Sequence, residues 1–304
     1  MIVSTKNEYD ELRSVLVGSV DNFAWPVDDK EFNASVAKST YENKMDQGPV
    51  ANTVLKEANE DLQKLTDMLE SNGVKVVRPK ISKPSWAYSA RDIILIVGNK
   101  VIECPTPFNS RAKELDFYPE LKSASCEIIR APRPNTNQDP MFDAANVLKV
   151  NDKLLYSLSH SANSAGAVWL QEQVGSEFEV ITWQAVKHQI THIDSTLLTC
   201  DHNTIVANAN RLTSDTLPTF MKDYKKIWVN DCVPRDFHKF PYASKWIGMN
   251  MLSIDPETIV VDEIQVDLIE QLKQSKYKVI ALPMRQSRTL GGGFHCVTCD
   301  VERS

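Results

Sequence analysis

Strand-forming residues occur along this chain in pairs of short runs, and each pair is joined by a turn of two or three residues. IILIV and KVIEC flank a Gly-Asn turn at 98–99, and NVLKV and KLLYSL flank an Asn-Asp turn at 151–152. Apolar, β-branched runs around such dipeptides are typical of β-hairpins. The sequence predicts four hairpins, at 93–104, 146–158, 196–209 and 251–263.

Helical periodicity lies between the hairpins. Residues 54–70 carry apolar side chains at helical spacing, which predicts an amphipathic helix. Its apolar face consists of Leu55, Ala58, Leu62, Leu65 and Leu69. Gly73 is placed to end the helix, and VKVVR at 74–78 predicts a strand after it. The segment 268–283 repeats this helix-then-strand order, and 220–230 has a shorter version of it.

Three aspartates recur in step with the hairpins. Asp92, Asp143 and Asp194 are each 51 residues apart, and each lies close to the start of a hairpin. A period of about fifty residues with the order ββαβ predicts a radial array of small mixed sheets, and chance spacing in an ordinary α+β protein is the alternative. With a weaker N-terminal unit at 12–18 (LRSVLVG), we expect about five units in one domain, residues 1–304. The three carboxylates would then surround a central pocket.

Composition narrows the functional classes. The formal net charge is −6 and the sequence has no block of Lys or Arg, which argues against a basic surface for binding nucleic acid. The longest apolar runs, such as IILIV at 93–97, are too short to span a bilayer. The N-terminal MIVSTKNEYDELR has the features of neither a signal nor a transit peptide. Six mostly isolated cysteines favour a reduced, cytoplasmic protein.

The C-terminal stretch LGGGFHCVTCD (290–300) carries the most concentrated candidate chemistry. No GK[ST] motif or helical pattern follows the glycines, which argues against a phosphate loop. Cys296 and Cys299 have the spacing of half a zinc site, but the sequence offers no suitable second pair. The strand-then-helix context of a thioredoxin-like pair is also missing. A single nucleophile and a buried structural cysteine remain open as interpretations of Cys296.

His192 shifts this balance toward a nucleophile. It begins the third hairpin two residues before Asp194, and strand alternation would place both side chains on the same side. The other histidines, His295 among them, fit structural or solvent-exposed roles. Several carboxylates around a thiol raise its pKa, but a bound guanidinium matches paired carboxylates and favours the thiolate. We therefore predict attack on an arginine-like guanidinium, with Arg211 either pairing with a substrate carboxylate or forming a surface ion pair.

Four stretches carry a family resemblance. They are PMFDAANVL (140–148), THIDSTLL (191–198), SKWIGMNMLSID (244–255) and LGGGFHCVTCDVER (290–303). With them the chain resembles, over nearly its whole length, the arginine:glycine amidinotransferase family of the guanidino-modifying, or pentein, superfamily. The resemblance implies an α/β fold, a pentein five-bladed ββαβ propeller with pseudo-fivefold symmetry.

The resemblance also implies a role for each matching residue. Cys296 would be the nucleophile, His192 the general acid/base and Asp143 the carboxylate that partners it. Cys299 matches a non-catalytic cysteine. Donor-substrate contacts would come from Asp92, Asp194, Arg211 and Ser244. The implied reaction is ping-pong transfer of the amidino group of L-arginine to an amine acceptor through an amidino-cysteine, with release of ornithine and with neither a metal nor an organic cofactor. A homodimer is one assembly compatible with this reaction.

Departures from the family pattern leave the acceptor open. Ala243 stands where the family has a first serine before Ser244, and the residue before the HID motif is Thr191 where glycine-using members have methionine. The segment 131–143 lacks a long insertion of the creatine-pathway enzymes, and MRQSRT at 284–289 differs as well, with Arg288 near the expected pocket mouth. The acceptor could be glycine, an amino sugar, a lysine-like amino acid or a biosynthetic intermediate.

Two other functions compete with amidino transfer. In a deiminase-type hydrolase, water would attack the amidino-enzyme and citrulline would result. In a non-catalytic propeller, the pocket would serve as a binding module, and Cys296 would have no chemical role.

Overall fold

Five three-stranded sheets of one topology dominate the described chain. The structure, a computed structural model, describes residues 1–37, 48–184 and 192–304. In each sheet the middle strand pairs antiparallel with one neighbour and parallel with the other. The strand orders are β17-β1-β4, β5-β6-β7, β10-β9-β8, β11-β12-β13 and β14-β15-β16, and a separate pair is β2-β3.

The strands are β1 (Leu12–Val17), β2 (Ala24–Trp25), β3 (Gly48–Pro49), β4 (Lys75–Val77), β5 (Ile94–Val97), β6 (Lys100–Glu103), β7 (Glu127–Arg130), β8 (Val147–Val150), β9 (Lys153–Ser157), β10 (Glu179–Trp183), β11 (Leu197–Asp201), β12 (Thr204–Asn208), β13 (Lys225–Val229), β14 (Leu252–Asp255), β15 (Thr258–Asp262), β16 (Lys278–Leu282) and β17 (Thr298–Arg303). The α-helices are α1 (Lys30–Ala37), α2 (Asn52–Ser71), α3 (Pro119–Lys122), α4 (Ser164–Val174), α5 (Val266–Gln274) and α6 (Ser287–Leu290). None of these helices has the length and apolar character needed to cross a membrane.

The four predicted hairpins are confirmed as β5-β6, β8-β9, β11-β12 and β14-β15. Their turns explain the residues found there. Gly98 has φ +56° and Asn151 has φ +57°, and this left-handed region is accessible to glycine and tolerated by asparagine. The turn chemistry is therefore local, and the sequence alone could reveal it.

The predicted helix at 54–70 is confirmed as α2, and 268–283 as α5 followed by β16. Leu62, Leu65 and Leu69 are fully buried, and each such burial stabilises the fold by about 1.5–3 kcal/mol. Gly73, at φ +79°, ends α2 as predicted. The helix predicted within 220–230 is wrong in type, because only a 3-10 turn at Thr219–Met221 forms before β13. Only six residues, 219–224, lie between Pro218 and the start of β13 at Lys225, which is fewer than two α-helical turns.

The weak N-terminal unit is completed by the other end of the chain. β1 pairs antiparallel with β17, from Leu12 opposite Arg303 to Val17 opposite Thr298. β4 then adds in parallel, as the third strand does in each of the other sheets. Cys296 lies two residues before β17, and β17 contacts the 3-10 helix Ala90–Asp92 and β5.

Short 3-10 helices precede the first strand in four of the sheets. They are Ala90–Asp92, Ala144–Asn146, Ile193–Ser195 and Lys245–Met249. Each contacts the next in chain order, the last contacts α6, and β17 contacts the first. The segments that lead into the five sheets are therefore in contact, each with the next.

The equal spacing of the three aspartates does not correspond to equal structural positions. Asp92 precedes β5 by two residues, Asp194 precedes β11 by three, and Asp143 precedes β8 by four. The connections before the hairpins differ in length, so the 51-residue spacing is only approximately in register with the sheets. The acids nevertheless belong to successive 3-10 segments that contact one another.

Candidate active site

Cys296 is held by hydrogen bonds to three neighbouring segments. Its thiol donates to Oδ2 of Asp194 at 3.0 Å, and its backbone N–H donates to Oδ1 of Asn250 at 3.0 Å. Its carbonyl accepts from the backbone N–H of Arg91 at 3.1 Å. The sulfur is buried and directed at a carboxylate, and the backbone groups of Cys296 are tied to two 3-10 segments, at Arg91 and Asn250.

The three glycines before Cys296 allow the backbone to approach other side chains closely. A Cβ on Gly292 would lie 2.8 Å from Oγ of Ser89, and one on Gly293 would lie 2.7 Å from Cβ of Asn250. At Gly291, φ is +80° and a Cβ would lie 2.0 Å from the ring of Tyr242. These approaches need glycine, because any larger residue would move the loop that carries the thiol.

We expect Gly291→Ala to lower the free energy of unfolding by about 2–5 kcal/mol, measured by urea denaturation. A left-handed backbone costs an L-residue about 1–2 kcal/mol, and overpacking against Tyr242 adds about 1–3 kcal/mol. Gly73→Ala is the matched control, since Gly73 has φ +79° but a Cβ there would have no other atom within 4 Å. An equal loss in both variants would show that the contact with Tyr242 has no effect.

His192 lies between two carboxylates. Its Nε2 is 3.1 Å from Oδ2 of Asp143, and its Nδ1 is 3.6 Å from Oδ1 of Asp92, which is beyond a good hydrogen bond. Burial favours the neutral imidazole, but the charges of Asp92, Asp143 and then Asp194 outweigh it and raise the pKa of His192 to about 9. The side chain keeps 19% exposure. At neutral pH it is an imidazolium that remains partly exposed.

Two carboxylate oxygens beside His192 are buried and have no hydrogen-bond partner among the described residues. They are Oδ1 of Asp92 and Oδ1 of Asp143. A buried acceptor without a hydrogen-bond partner is costly, so such an atom in a native fold requires an explanation, and a bound ligand is one. A planar cation with several N–H donors would satisfy both.

Asp92 is further held by an ion pair with Arg111. Arg111 also donates to both carboxylate oxygens of Glu114 at 2.8 Å and lies 4.9 Å above the ring of Trp86. Burial raises the pKa of Asp92 even though Arg111 and His192 oppose this. The Arg111 contact fixes the direction of this carboxylate.

The thiol and its acceptor have opposite pKa shifts. Burial, Asp194 and Asp92 raise the pKa of Cys296 well above the ordinary value. Burial acts against ionisation of Asp194, but the hydrogen bond and charge of His295 and the charge of His192 bring its pKa well below the ordinary value. Without a substrate, the pair is thus a neutral thiol donating to a carboxylate anion.

Arg211 and Ser244 are not bonded to the other predicted site residues within the described ranges. Nη1 of Arg211 donates to the carbonyl and hydroxyl of Ser195, at 3.0 and 2.9 Å, and to Oγ1 of Thr196 at 2.7 Å. Its side chain forms no salt bridge with any residue the structure describes, and burial lowers its pKa. Ser244 begins the 3-10 helix Lys245–Met249.

The structure therefore joins five of the seven predicted site residues: Cys296, His192, Asp143, Asp92 and Asp194. The reason given for His192 and Asp194 was wrong, because they lie in and before a 3-10 turn and their side chains face different partners. His192 faces Asp143, whereas Asp194 faces Cys296. Strand alternation does not apply before the strand begins.

Sequence reasoning missed four residues that organise the site: Glu8, Arg111, Asn250 and His295. Only Asn250 and His295 lie within stretches that carry the family resemblance, and no local signal marks the other two. His295 is buried between Asp194 and Glu8, so its assignment to the structural or exposed class overlooked a place beside the thiol. Among the described residues, no group of His, Cys, Asp or Glu is arranged to hold a metal ion.

Two of the departures from the family pattern meet near the glycines. The guanidinium of Arg288 donates to the carbonyl of Ala243 at 3.3 Å and to that of Arg235 at 3.0 Å. The loop 284–289 is thereby tied to the segment that leads to Ser244. Thr191 lies outside the described residues.

The chain is similar to amidinotransferases over its whole length. An inosamine-phosphate amidinotransferase of Streptomyces glaucescens is 33% identical over 339 aligned residues, covering 100% of this chain and 97% of that protein. The L-arginine:L-lysine amidinotransferase of Pseudomonas savastanoi pv. phaseolicola is 25% identical, with 99% and 94% covered. The solved structure of an inosamine-phosphate amidinotransferase of Streptomyces griseus matches with a TM-score of 0.91 at 34% identity, covering 99% of this chain and 97% of that one. No protein-family model matches the chain.

Sequence identity and fold agree with the chemistry of the site. A thiol, an imidazolium and three carboxylates meet where the sheets begin. The relative of 33% identity is aligned with every part of the chain that carries these groups. The chain belongs to the amidinotransferase family of guanidino-modifying, or pentein, enzymes, and is a transferase of amidino groups.

Proposed function

We propose that this enzyme transfers the amidino group of L-arginine to an amine other than glycine, through an amidino-cysteine on Cys296, and releases ornithine. The observation that carries the proposal is a pair of buried oxygens, Oδ1 of Asp92 and Oδ1 of Asp143, that have no hydrogen-bond partner among the described residues and belong to the two acids beside His192. A guanidinium offers five N–H donors in one plane and a positive charge, which are what two such oxygens require.

The donor enters as a cation, and its charge favours loss of the thiol proton to solvent. The thiolate of Cys296 forms a bond to the guanidino carbon. When the bond between that carbon and the side-chain nitrogen breaks, the imidazolium of His192 gives its proton to the departing amine. Ornithine leaves, and His192 is neutral. Proton transfer of this kind contributes about 10²–10⁴-fold in rate.

The second half-reaction reverses these proton movements. The acceptor amine attacks the amidino carbon and passes a proton to His192, and the sulfur leaves as a thiolate that regains its proton after product release. Every step is a proton transfer or a displacement at carbon that the side chains carry themselves. The proposal therefore includes no metal and no organic cofactor.

Arg211 and Ser244 are proposed to hold the α-carboxylate end of the donor. Nη1 of Arg211 is engaged by Ser195 and Thr196, while its other nitrogens have no partner among the described residues. A guanidinium fixed on one side and free of an ion pair is suited to bind a carboxylate. Asp194 is proposed to accept from the donor guanidinium on the side of the thiol.

The acceptor is proposed from the relatives rather than from a contact. The relative of 33% identity is named for inosamine-phosphate and the one of 25% for L-lysine. These two amines are the first acceptors to test, and glycine is the comparison. Two departures from the family pattern support an acceptor other than glycine. Ala243 replaces a family serine, and the loop at 284–289 differs from that of the family.

We further propose that residues 1–304 form one domain, in which the five sheets are blades of a pentein propeller with pseudo-fivefold symmetry. The shared sheet topology and the contacts from each 3-10 helix to the next support this arrangement. A reduced, cytoplasmic setting is part of the proposal, because the reaction needs Cys296 as a free thiol.

The proposed reaction can be tested with L-arginine labelled at the guanidino carbon. The enzyme is incubated with this donor and, separately, inosamine-phosphate, L-lysine, glycine or hydroxylamine. We expect ornithine and a labelled guanidino product in equal amounts, with label on the Cys296 peptide when the acceptor is left out. Labelled citrulline without a guanidino product would identify a hydrolase instead, and no turnover of any kind would favour a binding module.

A further inference from the structure

His295 lies between two buried carboxylates and has no role in the reaction proposed above. Its Nδ1 is 3.1 Å from Oδ2 of Asp194, and its Nε2 is 2.7 Å from Oε2 of Glu8. The imidazole is only 4% exposed. It is the residue directly before Cys296, and it shares Oδ2 of Asp194 with the thiol.

Each of its two acids has other donors, which favours the ionised form of both. Oε1 of Glu8 is 3.4 Å from Nη1 of Arg91 and accepts from the backbone N–H of Lys149. Oδ2 of Asp194 accepts from the thiol of Cys296. An ionised carboxylate only accepts hydrogen bonds, so both ring nitrogens of His295 must carry protons.

The charges buried around the thiol lead to the same conclusion. The network that contains Cys296 holds Glu8, Asp194 and Asp300 against Arg91, Lys149 and Arg303. The adjoining network around His192 holds Asp92, Asp143 and Glu114 against Arg111.

Together these six carboxylates exceed the four Arg and Lys side chains by two negative charges. Two imidazoliums, His192 and His295, cancel this excess within the two ion-pair networks, which is favoured because unbalanced buried charge is costly. A guanidinium then adds one positive charge, and ionisation of Cys296 removes it again.

We propose that His295 is a positioning residue: a buried imidazolium, held by Glu8, that keeps Asp194 ionised with Oδ2 directed at the thiol of Cys296. Asp194 is then unable to take the thiol proton and remains available to the donor guanidinium. The effect on Cys296 rests on the proposed function. The positive charge of His295 is inferred independently of it.

The electrostatic surroundings of the ring support this assignment. Burial and the positive charge of Arg91 act against ionisation of His295, yet Glu8 and Asp194 outweigh them and its pKa is raised. The charged groups that face the ring are Glu8 from the N-terminal segment, Arg91 from the first 3-10 helix and Asp194 from the third. Lys149 and Asp300 lie behind Glu8 and Arg91.

The charge of His295 can be measured directly in the wild-type protein by NMR after labelling histidine with ¹⁵N. The His295→Asn variant assigns the signals by their loss. We expect imidazolium-type shifts at both ring nitrogens, unchanged from mildly acidic to mildly alkaline pH. One protonated and one bare nitrogen would overturn the proposal, because a neutral ring with a protonated Glu8 or Asp194 would then fill the same space.

Two variants test the effect on donor binding, measured from the ornithine burst at varied L-arginine concentration without acceptor. In His295→Asn the amide still donates to Asp194 but carries no charge. We expect the apparent dissociation constant for arginine to rise about 10- to 100-fold, the effect of one charge-assisted hydrogen bond, with a smaller change in the burst rate constant. The loss should grow as pH falls, since the pKa of Asp194 rises without its cation and the acid becomes protonated.

Glu8→Gln should give the opposite pH dependence. With one anion removed, the pKa of His295 falls, and arginine binding weakens as pH rises because the ring loses its proton. A purely structural role would weaken binding equally at all pH values in both variants, which would overturn the proposal. If both variants fail to fold, the His295 signals are assigned instead by replacing each of the other five histidines, and the NMR measurement alone decides. If the wild type releases no ornithine, the proposed function fails while the charge of His295 remains measurable.

Discussion

Replacement of Cys296 by alanine is expected to lower the rate of ornithine release from L-arginine by a factor on the order of 10⁶, the size of loss seen when a catalytic nucleophile is removed. Cys296 is the thiol that donates to Asp194, and Asp92 lies close enough to raise its pKa. The measurement is single-turnover ornithine release, together with the mass of the Cys296 peptide. We expect the amidino adduct to be absent.

The fold should tolerate this substitution. Alanine removes one buried sulfur and its hydrogen bond to Asp194, so the free energy of unfolding should fall by no more than about 2 kcal/mol. Cys299→Ala is the matched control. It removes a second buried thiol, which donates to the carbonyl of Ile94 at 3.2 Å and lies in β17, and it should retain activity. Full loss in that variant with an active Cys296→Ala would mean that the wrong sulfur is assigned.

Asp143→Asn is expected to lower kcat/KM for L-arginine by about 10³–10⁴-fold, because it affects both binding and proton transfer. The buried carboxylate holds Nε2 of His192 at 3.1 Å, and its Oδ1 is one of the two oxygens without a partner among the described residues. An asparagine cannot balance the guanidinium charge. It also removes one of the anions that raise the pKa of His192.

The pH profile separates this effect from misfolding. His192 must be protonated to give its proton to ornithine, so the wild-type donor half-reaction should fall as pH rises through about 9. In Asp143→Asn the pKa of His192 falls, and this alkaline limb should move down by about 1–2 pH units. Asp152→Asn is the control, since Asp152 is an exposed acid in the β8-β9 turn and its loss should leave the profile unchanged. An unmoved limb in Asp143→Asn would contradict the pairing with His192.

Local chemistry explains which elements the sequence could predict. Turns at Gly98 and Asn151 need a left-handed backbone, and α2 places its apolar residues at helical spacing, so neighbouring residues alone define both features. The predicted helix within 220–230 failed because its length depends on where β13 must begin. Likewise, the 51-residue spacing of the acids revealed the repeat but did not give their true register, which depends on the length of each connection.

The residues of the candidate site also fall into two groups, those that the sequence could predict and those that it could not. Cys296, His192 and Asp143 stand in motifs short enough to recognise, and the structure brings them together with Asp92 and Asp194. Glu8 and His295 are 287 residues apart and are hydrogen-bonded at 2.7 Å, and nothing near either residue indicates the other.

The sequence by itself determined the hairpins and the main helices, because each depends on the chemistry of residues close together in the chain. It also determined the repeat, through the recurrence of these elements, and the choice of Cys296 as the candidate nucleophile, through its resemblance to a family motif. Only the tertiary structure decided that β17 completes the first sheet, that Arg111 fixes Asp92 and that His295 stands between two acids. These depend on distances between segments far apart in the chain. An ionisable group acquires its protonation state from the charges within a few ångströms, and those neighbours exist only once the chain has folded.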